Sequence, residues 1–191
     1  AQFRDFPIRI DTKAATAAWP TGVGATNKIG HGLANITPPR TDVAGGSGSP
    51  AVREAWLDGT WVYPLPLDPS KLSLGKHTWT LGITDVAGNG NKVTFTFNVT
   101  TSFGDIDSLL TRNATTLGAD TTAALKASLA AAKAKADSGD AAGAVAGLEA
   151  FVSQVRSTVS NATLRDLLAT DGQEVVRQQR GLPAPAVDGL G

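Results

Sequence analysis

The sequence predicts a two-domain chain, in which an all-β sandwich is followed directly by an all-α, small antiparallel helical bundle. Before residue 101 lie all four tryptophans, the only tyrosine and both histidines, among Gly/Pro turns and alternating apolar residues. After residue 101, Ala/Leu/Val stretches follow a helical spacing, and the only aromatic residues are Phe103 and Phe151. A β-rich half followed by a helical half is typical of two small tandem domains.

The change of composition at Thr101 and Ser102 sets the predicted boundaries. We expect a sandwich at residues 1–101, with a long irregular N-terminal region, and a bundle at residues 102–182. Residues 183–191 are rich in Pro and Gly and predict a tail.

Charge and composition exclude several classes of function. Lys+Arg and Asp+Glu are equal at 17 each, so the chain has no basic field that would hold nucleic acid. No apolar run approaches the roughly 18 residues that a membrane span needs. The absence of cysteine excludes disulfides, thiolate catalysis and Cys-ligated zinc.

The chain begins at Ala1 and contains no methionine, which favours a processed or excised piece of a longer polypeptide. High Ala, Gly and Thr content is typical of a high-GC, actinobacterial source. We therefore expect a catalytic domain or chain to be encoded upstream.

Residues 52–63 predict a β-hairpin, because Asp58-Gly59 suits the positive φ of a type I′ turn between two alternating runs. A two-residue turn pairs Leu57 with Thr60, Trp56 with Trp61, Ala55 with Val62 and Glu54 with Tyr63, and paired residues share a face.

One face of this hairpin is aromatic and is the candidate ligand-binding surface: Trp56, Trp61, Tyr63 and Glu54. If Ala55 and its neighbours face the core, these flat rings lie outside, where they can stack on sugar rings or on another domain. The alternative is that the two faces are reversed, or that Trp19 and the N-terminal loop cover the rings.

Two further strands, at residues 77–83 and 92–99, alternate cleanly and predict a shared core. Its members are Trp79, Leu81, Ile83, Val93, Phe95, Phe97 and Val99. Between the strands, Asp85, Asn89 and Asn91 carry oxygen ligands that suit calcium. Stabilisation of the turn by the same side chains is the favoured interpretation, so we expect no cofactor.

No residue set predicts catalysis. His31 has no second His or Cys nearby in sequence, so the sequence supports neither a metal site nor a nucleophile–base pair there. A structural role for His77 is implied by the family resemblance described below. Glu54 and Asp58 could be the carboxylate pair of a glycosidase, but Asp58 is needed by the turn.

Four helices are predicted from caps and apolar stripes. The first spans residues 102–112, with Ser102 as its N-terminal cap. The second begins near Asp120 and stops at Ser138. Asp140 caps the third, and Ser160 or Asn161 caps the last, which ends at residues 181–183.

The β-rich half resembles the bacterial immunoglobulin-like domains of secreted multidomain proteins. The resemblance rests on Leu57-Asp58-Gly59, on Leu74-Gly75-Lys76-His77-Thr78, and on Asp85-Val86-Ala87-Gly88-Asn89. It covers residues 52–100 and implies an immunoglobulin-like sandwich. The Gly-rich stretch at residues 12–50 departs from it.

The helical half resembles FIMAH, a module at the C-termini of secreted bacterial enzymes. Its helix, Gly-Asp break and A-x-x-x-L-x-x-F-x-x-x-V helix are matched by Gly139-Asp140 and by Ala144, Leu148, Phe151 and Val155. The resemblance carries no catalytic residues and implies a C-terminal accessory position.

These observations predict a non-catalytic accessory region of a secreted, extracellular enzyme. It would position the catalytic domain, or bind polysaccharide or a cell surface, through protein–protein or carbohydrate contacts. The alternative is a cleaved, non-catalytic subunit that stays associated with a catalytic chain such as a glycoside hydrolase or peptidase.

Overall fold

A computed structural model describes residues 11–20, 23, 26–42, 50–62 and 66–183. Residues 6–11, whose alternation in sequence predicts a first strand, and the predicted tail at 183–191 lie almost wholly outside these residues. The described strands are β1 (Thr16–Ala17), β2 (Lys28–Gly30), β3 (Arg40–Thr41), β4 (Ala51–Leu57), β5 (Thr60–Val62), β6 (Gly75–Thr84) and β7 (Gly90–Thr100). The described helices are α1 (Phe103–Arg112), the single turn α2 (Ala114–Leu117), α3 (Ala119–Asp137), α4 (Ala141–Thr158) and α5 (Ala162–Gln179).

The strands form a five-stranded mixed sheet, in the order β2-β7-β6-β4-β5, and a separate antiparallel pair, β1-β3. The chain divides into two compact units. The first contains residues 1–27, 36–67 and 77–97, and the second contains residues 28–35, 68–76 and 98–191. The chain therefore passes between the units several times.

The core of the first unit is aromatic. Trp19 packs on Phe95 with ring centroids 4.6 Å apart, and on Phe97 at 6.0 Å. Trp79 lies 6.1 Å from Phe95 and is 1% exposed, which confirms it as a core tryptophan. The alternation predicted for β6 and β7 is confirmed, except that Val93 is only half-buried.

The helices begin where the capping residues predict. The side chain of Ser102 accepts a hydrogen bond from the Asp105 amide, Asp140 from Gly143, and Asn161 from Leu164. Each satisfies an amide that would otherwise lack an intrahelical partner.

The apolar faces of the helices form the core of the second unit. Helix α4 packs against α3 and α5, and α1 packs against α3 and α5. The buried members include Ile106, Leu109, Leu125, Leu129, Leu148, Phe151, Val155, Leu168 and Val175. Burial of each large side chain contributes about 1.5–3 kcal/mol.

A segment far upstream in sequence belongs to this helical unit. Strand β2 pairs in parallel with the last residues of β7, so Ile29 lies opposite Val99 and is fully buried. Gly30 and Gly32 admit the start of α1, since a Cβ on Gly30 would lie 2.0 Å from Asp105 Oδ1. The Gly32 amide donates to that oxygen at 3.2 Å.

Between these glycines, the imidazole of His31 connects the segment to α5. His31 Nδ1 lies 2.7 Å from Asp171 Oδ1, and Nε2 lies 3.2 Å from the Leu72 carbonyl oxygen. His31 is 2% exposed and Asp171 is 0% exposed. This is a buried polar contact across 140 residues of sequence.

The geometry constrains the protons of this pair. A carbonyl only accepts, so Nε2 must carry a proton, whereas Nδ1 can donate to a carboxylate or accept from a carboxylic acid. Burial raises the pKa of Asp171, and the His31 contact opposes that shift. The Thr101 side chain also lowers the pKa of Asp171, but burial has the larger effect and the pKa stays raised.

The predicted fold class is wrong. An immunoglobulin-like sandwich requires two packed antiparallel sheets, whereas the described strands form one mixed sheet and one two-stranded pair. The physical reason lies in residues 12–50, which are rich in Gly and Pro: the described part of this stretch forms two- and three-residue strands, and one of these pairs in parallel with β7. The second unit is not all-α, because it includes β2 and residues 68–76. The predicted boundary between two independent domains, at residues 101 and 102, stays a prediction.

Removal of His31 should cost far more stability than neutralisation of Asp171. His31→Ala leaves a buried carboxyl group without its partner, so we expect the free energy of unfolding to fall by about 3 kcal/mol. In Asp171→Asn, the amide can donate to Nδ1 while Nε2 keeps its bond to Leu72, so the expected loss is under about 1 kcal/mol. Urea unfolding at neutral pH measures both losses. Equal losses would show that an amide at position 171 does not replace the bond between the carboxyl group and His31 Nδ1.

Acid should stabilise the wild-type chain relative to Asp171→Asn. A carboxyl group whose pKa is raised on folding contributes stability that is fully present below its unfolded pKa, 3.8, and is lost as the pH rises through the folded value. The difference between the unfolding free energies, wild type minus Asp171→Asn, should therefore increase from pH 7 towards pH 3.8. A decrease over the same interval, in a urea series, would show that the pKa is not raised.

Candidate ligand-binding face

The β4–β5 hairpin has the predicted register. Leu57 pairs with Thr60, Trp56 with Trp61 and Ala55 with Val62. Asp58 and Gly59 adopt φ values of 50° and 79°, as a type I′ turn requires. Tyr63 lies outside the described residues, so its predicted pairing with Glu54 has no structural counterpart here.

Ala55 is fully buried, which directs the aromatic side chains to the outer face of the sheet. Trp61 is 59% exposed and Trp56 is half-buried. Trp19 contacts Phe95 and Phe97 on the inner face, so the two alternatives of reversed faces and coverage by Trp19 do not hold.

The two tryptophans are not equivalent. The Lys92 ammonium lies 4.6 Å from the centroid of the Trp56 ring, in a cation–π contact. Lys92 thus occupies the outer face of Trp56, whereas Trp61 carries the large exposed ring. The sequence placed both rings on one face but gave no signal for Lys92, which lies on a non-adjacent strand.

A row of four side chains, which includes both tryptophans, crosses strands β5, β4, β6 and β7. Trp61 pairs with Trp56, and Trp56 pairs with Thr80. The hydroxyl oxygens of Thr80 and Thr94 lie 3.0 Å apart. Because neighbouring strands lie about 4.8 Å apart, the row Trp61–Trp56–Thr80–Thr94 is about 14 Å long.

A shallow cavity of about 420 Å³ adjoins this row. Gly82 is part of its lining and pairs with Glu54, and a Cβ on Gly82 would lie 3.3 Å from Glu54 Oε2. Arg53 and Lys92 also line it. Neither cation makes a salt bridge within 4 Å to a described residue, and the Lys92 ammonium contacts the Trp56 ring.

The predicted calcium ligands stabilise a turn. Asp85 Oδ1 accepts from the Asn89 backbone amide at 2.8 Å, and Oδ2 accepts from the Asn89 side chain at 2.9 Å. The Asn91 side chain donates to the Ala15 carbonyl oxygen at 3.2 Å. These bonds match the turn-stabilising interpretation.

Asp85 also has acidic neighbours that the sequence did not indicate. Carboxylate oxygens of Asp11, Asp42 and Asp85 lie within 4.8 Å of one another, the one such group among the described residues. Calcium takes six to eight oxygen ligands. Asp85 already accepts two hydrogen bonds from Asn89, so the group offers a calcium ion only part of a coordination shell.

His77 belongs to the hairpin turn. Its Nδ1 lies 2.7 Å from Asp58 Oδ2, and Asp58 Oδ1 accepts from the Thr78 amide at 2.8 Å. Asp58 therefore connects the turn to β6 in addition to adopting positive φ. This contact matches the structural role expected for His77, whereas the burial of His31 against Asp171 was not predicted.

Comparisons with protein-family models, with curated proteins and with solved structures give no match for this chain. A search of the described residues finds no helix with the length and hydropathy needed to cross a membrane.

Proposed function

We propose that this chain is a non-catalytic binding module that attaches an exported bacterial enzyme to polysaccharide through the outer face of β4–β7. The observation that carries the proposal is the 59% exposure of Trp61, a large aromatic side chain that folding has not buried. Trp61 lies beside the half-buried Trp56, and contiguous aromatic surface of this kind is a feature of interaction sites.

The chemistry around Trp61 suits a saccharide. The indole ring can stack on the C–H face of a sugar, while Thr80, Thr94 and the Lys92 ammonium supply hydrogen bonds to hydroxyl groups. The row is about 14 Å long, which is the length of roughly three sugar units placed across the strands. A chain ligand lying along the row would contact all four side chains.

A binding role without hydrolysis is supported by the side chains lining the cavity beside the row. Glu54 is the one carboxylate among the described lining residues. Hydrolysis of a glycosidic bond uses two carboxyl groups on opposite sides of the bond. The secreted, accessory context rests on the sequence resemblances and is part of the same proposal.

The test is retention on insoluble polysaccharides of several backbone types. Trp61→Ala should weaken retention about tenfold, the effect of losing about 1.4 kcal/mol of binding free energy. The matched control is Val86→Ala, which removes another exposed apolar side chain, 71% exposed, from a turn away from the row.

Two results would overturn the proposal. One is that the parent chain is retained on none of the polysaccharides, and the other is that Trp61→Ala binds as the parent does. Co-elution of a second, larger chain in native size-exclusion chromatography, sensitive to Trp61→Ala, would instead favour a subunit bound to a catalytic partner.

A further inference from the structure

The outer face of the sheet contains a charged depression beside the aromatic row. It is the cavity of about 420 Å³, a volume within the range of ligand sites in proteins. Gly82 of β6 and Gly90 of β7 are part of its lining, and neither has a side chain that would fill it. Every described lining residue belongs to the first unit.

A β-bulge directs the Arg53 side chain toward this depression. Val52 pairs with Ile83 and Glu54 pairs with Gly82, so Arg53 is an extra residue of β4 between the two pairs. In a regular strand, Arg53 and Glu54 would point to opposite faces of the sheet. Here both are exposed and both line the cavity. Bulges redirect side chains in this way and are frequent next to functional sites.

Two cations and one carboxylate border the depression. The Arg53 guanidinium makes no salt bridge to a described residue, and its planar set of N–H donors matches the oxygens of an oxyanion. The Lys92 ammonium contacts the Trp56 ring on one side, and its positive charge is not paired with a described carboxylate. Glu54 is the one carboxylate of the described lining, so the described lining has net positive charge.

Lys92 also connects the depression with the aromatic row. Its side chain lines the cavity, and its ammonium contacts the Trp56 ring. Glu54 and Trp56 are two residues apart on β4, and their partners Gly82 and Thr80 are two residues apart on β6. Two residues of a strand span about 6.6 Å, which the long Lys92 side chain covers. A sugar chain lying along the row therefore has the depression within reach of its ring substituents.

We propose that the polysaccharide bound by this face is acidic, with a carboxylate or sulfate group at Arg53 and Lys92. This inference rests on the proposed polysaccharide-binding function and adds the charge of the ligand. Hydrogen bonds between cations and oxyanions are stronger than those between neutral groups, and a depression with an excess of one charge concentrates ions of the opposite charge. Glu54 disfavours a second acidic group in the depression and accepts hydrogen bonds from hydroxyl groups.

The experiment is affinity electrophoresis at low ionic strength, in native gels that contain a soluble polysaccharide. Matched polymers carry neutral or acidic groups: hydroxyethyl cellulose and carboxymethyl cellulose, methyl-esterified pectin and polygalacturonate, dextran and dextran sulfate. The chain should bind at least one acidic polymer about tenfold more tightly than its neutral counterpart, as expected when a charge-assisted hydrogen bond is gained. Preference for the carboxylated polymers alone identifies a carboxylate ligand, and preference for dextran sulfate alone identifies a sulfate ligand.

Substitutions test whether the preference arises in the depression. Arg53→Gln should weaken binding of the preferred acidic polymer about tenfold. Arg156→Gln is the matched control, because Arg156 is an exposed arginine of α4 in the second unit and its loss changes the net charge of the chain equally. Glu54→Gln removes the opposing carboxylate and should tighten binding about threefold, a gain that a folding defect does not produce.

Three results would each overturn the inference of an acidic ligand: equal affinity for acidic and neutral polymers, equal losses in Arg53→Gln and Arg156→Gln, or weaker binding in Glu54→Gln. None of them affects binding of neutral polysaccharide through Trp61, which the retention of Trp61→Ala measures. Retardation by none of the polymers would instead contradict polysaccharide binding itself, and this inference with it.

Discussion

One buried contact, between the imidazole of His31 and the carboxyl group of Asp171, joins residues 28–35 to the helices of the second unit. Several weaker features converge on the same segment. The His31 amide donates to the Thr100 carbonyl oxygen at 2.9 Å, and Arg112 Nη1 donates to the Leu33 carbonyl oxygen at 2.8 Å. Gly32 allows the start of α1 to approach closely, since a Cβ at this position would lie 2.7 Å from the Asp105 Cα atom. Residues 28–35 are therefore an integral part of a unit that otherwise contains residues 68–76 and 98–191.

The contact between His31 and Asp171 is an example of a feature that could not be predicted from sequence. Features governed by neighbours in sequence were predictable, including the caps at Ser102, Asp140 and Asn161 and the hairpin turn at Asp58. The parallel pairing of β2 with β7 was not predictable, because parallel strands require a long crossover connection and leave no local turn signal in the sequence. His31 appeared in the sequence as an isolated imidazole between two glycines. Its partner lies 140 residues away, in a helix whose pattern looked complete without it.

In the candidate sites too, contacts within one hairpin were predictable from sequence, and contacts between distant segments were not. Alternation within one hairpin predicted that Trp56 and Trp61 share a face, and burial of Ala55 decided which face is exposed. The contact of Lys92 with Trp56 joins two strands that are not neighbours in sequence and became visible only in the structure. The bulge at Arg53 was not predictable either, because it depends on the register between β4 and β6.

Native-state hydrogen exchange tests directly whether residues 28–35 fold as part of the helical unit. If they do, the His31 amide should exchange with the same opening free energy as the Val175 amide in the centre of α5, because both open in one cooperative step. Rapid exchange at His31 while Val175 stays protected would contradict this account, since it would show that the segment detaches while the helices remain folded.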